Sequence, residues 1–305
     1  MKLAPLTLFV YNRLWHTRQT IEALQQNELA AESNLFIYSD GPKVAEHAGA
    51  VDEVRDYIRA IGGFKSVTIT ERVENWGLAR SIISGVTEVV KDFDRIIVLE
   101  DDLVTSPFFL KYMNDALEMY KNEESVISVH GYINPLRGQL PETFFLKYTG
   151  CWGWGTWKRG WALFESDGKK LLQNLQDRGL VERFDLERSY PFTGMLKDQV
   201  EGKNNSWAIR WQASAFLNDK LTLFPGRSLV NNIGHDDSGI HCGKTDLYDV
   251  ELACKPINIS SIPLKEDLAV RSSLGKFFKR CQQGHILNRI MGLLRYLITS
   301  SNLMR

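Results

Sequence analysis

The run DRIIVLEDDLVTSP places Glu100, Asp101 and Asp102 directly after the apolar stretch Ile96 to Leu99. Three adjacent carboxylates repel one another and lose hydration at the end of a buried strand, and a bound divalent cation offsets both costs. Side chains alternate along an extended chain, so Asp101 and Asp102 face different ways and one of them suffices as a ligand. That suits Mn²⁺ or Mg²⁺, which take one or two carboxylates and complete their shell with water and substrate phosphates. A solvated acidic turn at a strand end is the competing reading of the same three residues.

Other residues carry chemistry in similar positions. Asp40 lies in FIYSDGP, where Gly41 and Pro42 force a turn, and reads either as a ligand contact or as a turn or capping aspartate. Arg13 follows an apolar run in FVYNR, and Arg80 in NWGLARS sits in the first turn of a helix, where the free amides favour anions. The segment NNIGHDDSGIHCG carries His235, Asp236, Asp237 and His241. Its two histidines lack the i, i+4 spacing of a helical zinc pair, and one of them is a candidate to close the far side of a metal-diphosphate site. GCWGWGTW, from Gly150 to Trp157, mixes Gly with Trp, which serves a stackable surface or an aromatic core equally well. No GxGxxG, GxxxxGK[ST] or GxSxG occurs, so the chemistry must come from the carboxylates.

The elements that must position these groups alternate between short apolar runs and longer amphipathic ones, the signature of βαβ units and a mainly parallel sheet. Strands are expected at Thr7 to Tyr11, Asn34 to Ser39, Ser66 to Thr70 and Arg95 to Glu100. Helices are expected at His16 to Gln26, Val44 to Ile61 and Leu78 to Val90, with Ser106 and Pro107 opening another. The fold class is therefore α/β, with a doubly wound nucleotide-type half in which ligands sit at the carboxyl ends of strands. A later strand is expected at Thr143 to Tyr148, and Leu221 to Asn232 reads as two strands about a Pro-Gly turn. The expected division is a nucleotide-type half at 1–105, a second half of the same domain at 106–245, and a C-terminal extension at 246–305.

Lys plus Arg and Asp plus Glu are both 37, and this balance argues against a nucleic-acid partner and against wholesale disorder. It hides an asymmetry, because residues 276–305 carry six cations and no acid among aromatic and aliphatic residues. A basic amphipathic helix of this kind suits an anionic membrane surface. Four scattered cysteines give neither a disulfide framework nor zinc spacing and read as reduced thiols, so a cytoplasmic location is expected, peripheral on the inner membrane face. No stretch reaches the ~20 uncharged apolar residues of a membrane span.

FVYNR, FIYSDGP, NWGLARS and VLEDD, in this order and spacing, resemble the glycosyltransferases of the GT-A fold, especially the N-acetylglucosaminyltransferase I type, over roughly residues 5 to 245. The resemblance implies a three-layer α/β/α fold and a bacterial enzyme of surface polysaccharide synthesis. It would move sugar from a nucleotide-sugar donor, expected to be UDP-linked, to a glycan or lipid-linked acceptor. It implies Arg13 and Asp40 at the nucleotide base, Arg80 near the nucleotide, Glu100 towards the transferred sugar, Asp101 towards the ribose and Asp102 on Mn²⁺. It further implies a sugar or acceptor wall at Trp152, Trp154 and Trp207, and a donor-covering loop around His241 that supplies a second metal ligand. Inverting members of the family place a base aspartate just before a Trp. Here Asn205 and Ser206 precede Trp207, an amide cannot act as base, and Asp198 and Asp237 are the remaining candidates. A sugar nucleotidyltransferase shares the acidic site but brings a Gly-rich, Lys-containing loop that this sequence lacks. A carbohydrate-binding or scaffold protein of the same fold is the rival from another class.

Overall fold

The computed structural model describes residues 2–238 and 245–283. The first half is built as the periodicity predicts: β1 (Leu6–Val10), α1 (Leu14–Gln25), β2 (Asn34–Ser39), α2 (Ala48–Arg59), β3 (Ser66–Glu71), α3 (Leu78–Phe93) and β4 (Arg95–Glu100). Then follow β5 (Leu103–Thr105), α4 (Phe109–Met119), β6 (Val126–His130), β7 (Thr143–Leu146) and β8 (Trp154–Trp157). The chain continues through α5 (Lys158–Trp161), α6 (Gly168–Asp177), α7 (Val181–Phe184), α8 (Phe192–Val200), α9 (Trp207–Leu217), β9 (Leu221–Pro225) and β10 (Val230–Asn232). A last helix occupies 268–283.

The described residues form an eight-stranded sheet in the order β3-β2-β1-β4-β8-β6-β9-β7. The strands β3, β2, β1 and β4 run parallel, β8 runs against both its neighbours, β6 and β9 are parallel, and β7 closes the edge antiparallel to β9. The α/β class with a mainly parallel sheet and a C-terminal helix is thus the fold found. Both faces are covered, and for this reason β1 and β4 read as continuous apolar runs. Strand alternation divides them: Leu6, Leu8, Ile97 and Leu99 enter the core with α1, α2 and α4, whereas Phe9, Ile96 and Val98 enter the opposite one with α3 and α9. Each fully buried Leu or Ile contributes about 1.5–3 kcal/mol. A third cluster joins α6, α8 and α9 to β7, β9 and the last helix.

Three expectations change here. Trp154 and Trp207 were expected on a substrate wall, but they are 0% and 3% exposed and stack on each other at 5.3 Å. The cause is the place of β8 between β4 and β6 in mid-sheet, where Gly155 brings the strand against Met113 and the Ile96 carbonyl. β10 does not fold back on β9 around the Pro-Gly turn; it pairs antiparallel with β5, Asn232 opposite Leu103. In the last helix, Phe277 and Phe278 are buried in the third cluster while Lys276, Lys279 and Arg280 face solvent, so these aromatics are spent on the protein core and not on a lipid surface. The remainder of 276–305, from 284 on, lies outside the described residues, as does His241.

Candidate functional site

β1 and β4 are parallel neighbours with Phe9 opposite Glu100, so whatever follows either strand emerges at one carboxyl edge. Arg13 therefore meets the acids. Its Nη2 donates to Asp101 and, at 2.8 Å, to Oδ2 of Asp102. Burial works against the charge on Arg13, but the two carboxylates outweigh it and hold the guanidinium more firmly protonated. Arg13, expected at the nucleobase, forks across two aspartates.

The three acids differ by environment. Glu100 is pushed up to about 8 by burial and then by Asp102 and Asp101, with Arg13 opposing. Asp101, 5% exposed, is raised by burial and by Asp102 against the pull of Arg13, and its carbonyl accepts the Thr20 hydroxyl at 2.8 Å. Asp102 keeps 16% of its side chain exposed and, like Glu100, is only partly buried, whereas Asp101 is buried.

The β5–β10 pairing carries the histidine segment over these acids. The Ile233 amide donates to the Asp102 carbonyl at 2.9 Å, and a Cβ on Gly234 would fall 2.2 Å from Asp102 Oδ2. His235 is 8% exposed, stacked on Tyr248 at 5.2 Å and edge-on to Trp152 at 5.4 Å. Both its ring nitrogens are buried and, among the described residues, have no hydrogen-bond partner. Burial lowers its pKa, with Asp102 and Asp249 pulling the other way, so the imidazole is neutral and within electrostatic reach of Asp102. Asp236 reaches back to His16 Nε2 at 3.1 Å, and its carboxyl is held near 2, first by the Ser238 hydroxyl. Asp237, exposed and left-handed at φ 72°, belongs to the same loop.

Trp152 stays at this site, half-buried against Tyr132 at 4.7 Å. Its amide donates to His130 Nε2 at 3.2 Å while His130 Nδ1 donates to the Tyr132 carbonyl at 2.8 Å. Asp40 stands at the expected strand end but serves differently from expectation. Its Oδ1 accepts the amides of Gly41 (3.0 Å) and Trp76 (2.9 Å), and its Oδ2 accepts that of Gly77 (2.8 Å). With both oxygens given to backbone, the base-contact expectation gives way to a clamp on the loop that opens α3. Arg80 and Arg72 sandwich the Trp76 ring, each 4.0 Å from its centre.

Asp198 is not brought to the acids. It is half exposed on α8, paired with Lys203 at 3.5 Å, on a helix packed against α6, α7 and α9. Asn205 hydrogen-bonds Arg210 Nη2 at 3.3 Å just before Ser206, which caps α9 by accepting the Ile209 amide. Sequence reading missed His16 and His130; its metal-ligand candidate His241 lies outside the described residues, and the residue of that segment described beside Asp102 is His235. The one available signal was the placement of His16 three residues after Arg13, in the first turn of α1.

Among the described residues no three His, Cys, Asp or Glu side chains are gathered as a metal cage. The acids are instead partly neutralised by a fixed cation, Arg13. No helix of the described residues is long and apolar enough to cross a membrane.

No family model matches the chain, and no curated protein matches it. Among solved structures the chain is similar to the mannosyltransferase PcManGT from Pyrobaculum calidifontis in complex with GDP-Man and Mn²⁺, at 11% identity and TM-score 0.40, over 70% of this chain and 74% of that one. It is also similar to TarS of S. aureus, at 13% identity and TM-score 0.43, over 74% of this chain and 36% of that one. The chain thus spans about a third of the length of TarS.

Proposed function

We propose that this chain is a GT-A-type glycosyltransferase, assisted by Mn²⁺ or Mg²⁺, that uses a UDP-linked sugar and a glycan or lipid-linked acceptor of surface polysaccharide. The observation that carries the reading is the Arg13–Asp101–Asp102 cluster at the carboxyl edge of two parallel strands, roofed by Gly234 and the orphaned imidazole of His235. These residues fit a divalent cation: a partly exposed carboxylate, a buried neutral imidazole with no partner, and a cradle that a Cβ would fill. Asp102 and His235 would hold it, and the donor's diphosphate would supply further oxygens. When bound, the ion stabilises the negative charge that gathers on the leaving diphosphate.

The protein's own groups do the rest. Arg13 fixes the two aspartates and opposes the effect of burial on Asp101. Asp101, bound to Arg13 and buried, faces the ribose in this assignment, and Glu100 faces the transferred sugar. Trp152 offers a half-buried ring beside the metal position as the sugar wall. Asp237 stands as the candidate base, because it shares the loop of His235, whereas Asp198 lies on α8 and Asn205 cannot accept a proton. A second reading, glycan binding without turnover, is favoured by Asn205 alone. Membrane attraction, where it occurs, would run through the exposed cations Lys276, Lys279 and Arg280.

The test is a thermal-shift panel of nucleoside diphosphates with Mn²⁺ and with EDTA, since a ligand that binds the native state alone raises its stability. UDP is expected to stabilise the wild type with Mn²⁺ only, with the shift abolished in Asp102→Asn and reduced in His235→Ala. No shift with any nucleotide would move the reading to the binding protein.

A further inference from the structure

Arg210 lies in α9 at 7% exposure, and among the described residues no carboxylate pairs with it. Its Nε donates to the Ser206 carbonyl at 3.1 Å, its Nη1 to the Ser166 carbonyl at 3.2 Å and its Nη2 to Asn205 Oδ1 at 3.3 Å. A guanidinium has five N–H donors, so it retains unused donors after these bonds. A buried cation answered only by neutral oxygens is costly, and an anion offsets that cost.

Arg210 is also a wall of an open cavity of about 630 Å³ between α3 and the N-terminal end of α9, which Arg80, Lys91 and Asn205 share. The wall carries one acid, Glu88, against the three cations Arg80, Lys91 and Arg210. The eleven-residue α9 starts here, and its amide end adds partial positive charge. The cavity is thus basic, whereas the strand-end cluster is acidic and needs a cation to accept an anion. Arg80 joins the two regions, since it packs over Trp76, whose amide is held by Asp40 at the carboxyl edge of β2.

We infer that the groove between α3 and α9 binds an oxyanion carried by the acceptor, a phosphate group being the form that matches the guanidinium fork. The word acceptor rests on the transferase reading above; the anion site does not. Asn205, an amide beside Arg210, adds no negative charge at the end of the groove where the guanidinium lies.

The experiment is calorimetric titration of inorganic phosphate, at ionic strength fixed with chloride, into the wild type, Arg210→Gln, Arg80→Gln/Lys91→Gln and Asp102→Asn. Saturable binding is expected in the wild type and in Asp102→Asn, weakened at least about tenfold in the other two. Equal binding by a folded Arg210→Gln, or no saturable binding by the wild type, overturns the proposal. Arg80 and Lys91 are exposed, so the double variant decides the matter if Arg210→Gln does not fold. Repeating the titration with saturating UDP and Mn²⁺ separates the sources of the anion. Undiminished phosphate binding supports the acceptor, whereas competition assigns the groove to the donor's diphosphate and overturns it. Absence of UDP binding with phosphate binding intact counts against the transferase reading alone and leaves the anion site supported.

Discussion

The backbone at Gly234 lies so close to Asp102 that a Cβ there would fall 2.2 Å from the carboxylate oxygen Oδ2. Asp102 cannot simply turn aside, because the same oxygen accepts Arg13 Nη2 at 2.8 Å. Gly234→Ala is therefore expected to displace the carboxylate and abolish Mn²⁺-dependent nucleotide binding, at a stability cost of about 1–3 kcal/mol from overpacking. Parallel UDP titration and urea unfolding check this; wild-type UDP affinity in the variant would remove Asp102 from the site.

Arg13→Ala leaves Asp101 and Asp102 without their counter-ion. Breaking a buried pair in this way costs about 3 kcal/mol at pH 8. Glu100 and Asp101 have raised folded-state pKa values, so the stability they contribute is complete below about 4.5 and is lost as pH rises towards the value of about 8 at Glu100. The deficit of Arg13→Ala should accordingly shrink between pH 8 and pH 4.5. Unfolding curves across that range measure it, and a deficit independent of pH would contradict the assignment.

His130 is held neutral at both nitrogens, donating to the Tyr132 carbonyl and accepting the Trp152 amide. Burial lowers its pKa to about 4. The unfolded chain binds a proton near 6.5 and the folded one does not, so stability is complete above pH 6.5 and falls until pH reaches about 4, by up to about 3 kcal/mol. His130→Asn is expected to flatten that slope and to loosen Trp152, weakening sugar binding. The difference between wild-type and variant unfolding at pH 4.5 and pH 7 is the readout.

Asp40→Asn should act through the loop that opens α3. Loss of charge on a carboxylate that accepts three amides costs about 1–3 kcal/mol. Selectivity between UDP and ADP should be unchanged, whereas a nucleobase contact at Asp40 would alter it, and competition binding distinguishes the two.

Phe278→Ala removes a ring that is 4% exposed in the third cluster, so a loss of about 3–5 kcal/mol is expected. Binding to anionic vesicles should instead weaken in Lys276→Gln/Lys279→Gln/Arg280→Gln, with the melting temperature kept. Vesicle sedimentation of both variants tests this, and retained vesicle binding by the triple variant would exclude these cations as the contact.

The sequence by itself determined the elements whose signal is local. The bounds of β2 and β4 were legible to the residue, because an apolar run buried on both faces reports its own burial. The acids at the end of β4 were legible for the same reason, since a strand end lies where its apolar run stops. Only the tertiary structure decided which groups meet. Arg13 pairs with acids 88 residues away because β1 and β4 are sheet neighbours. Gly234 and His235 cover Asp102 because β10 chose β5 as its partner and not β9. Trp154 and Trp207 left the surface for the core, and Arg210 was left, among the described residues, without an acid, through strand order and helix packing. Periodicity records how much of a segment is buried, and it carries no information on which other segment does the burying.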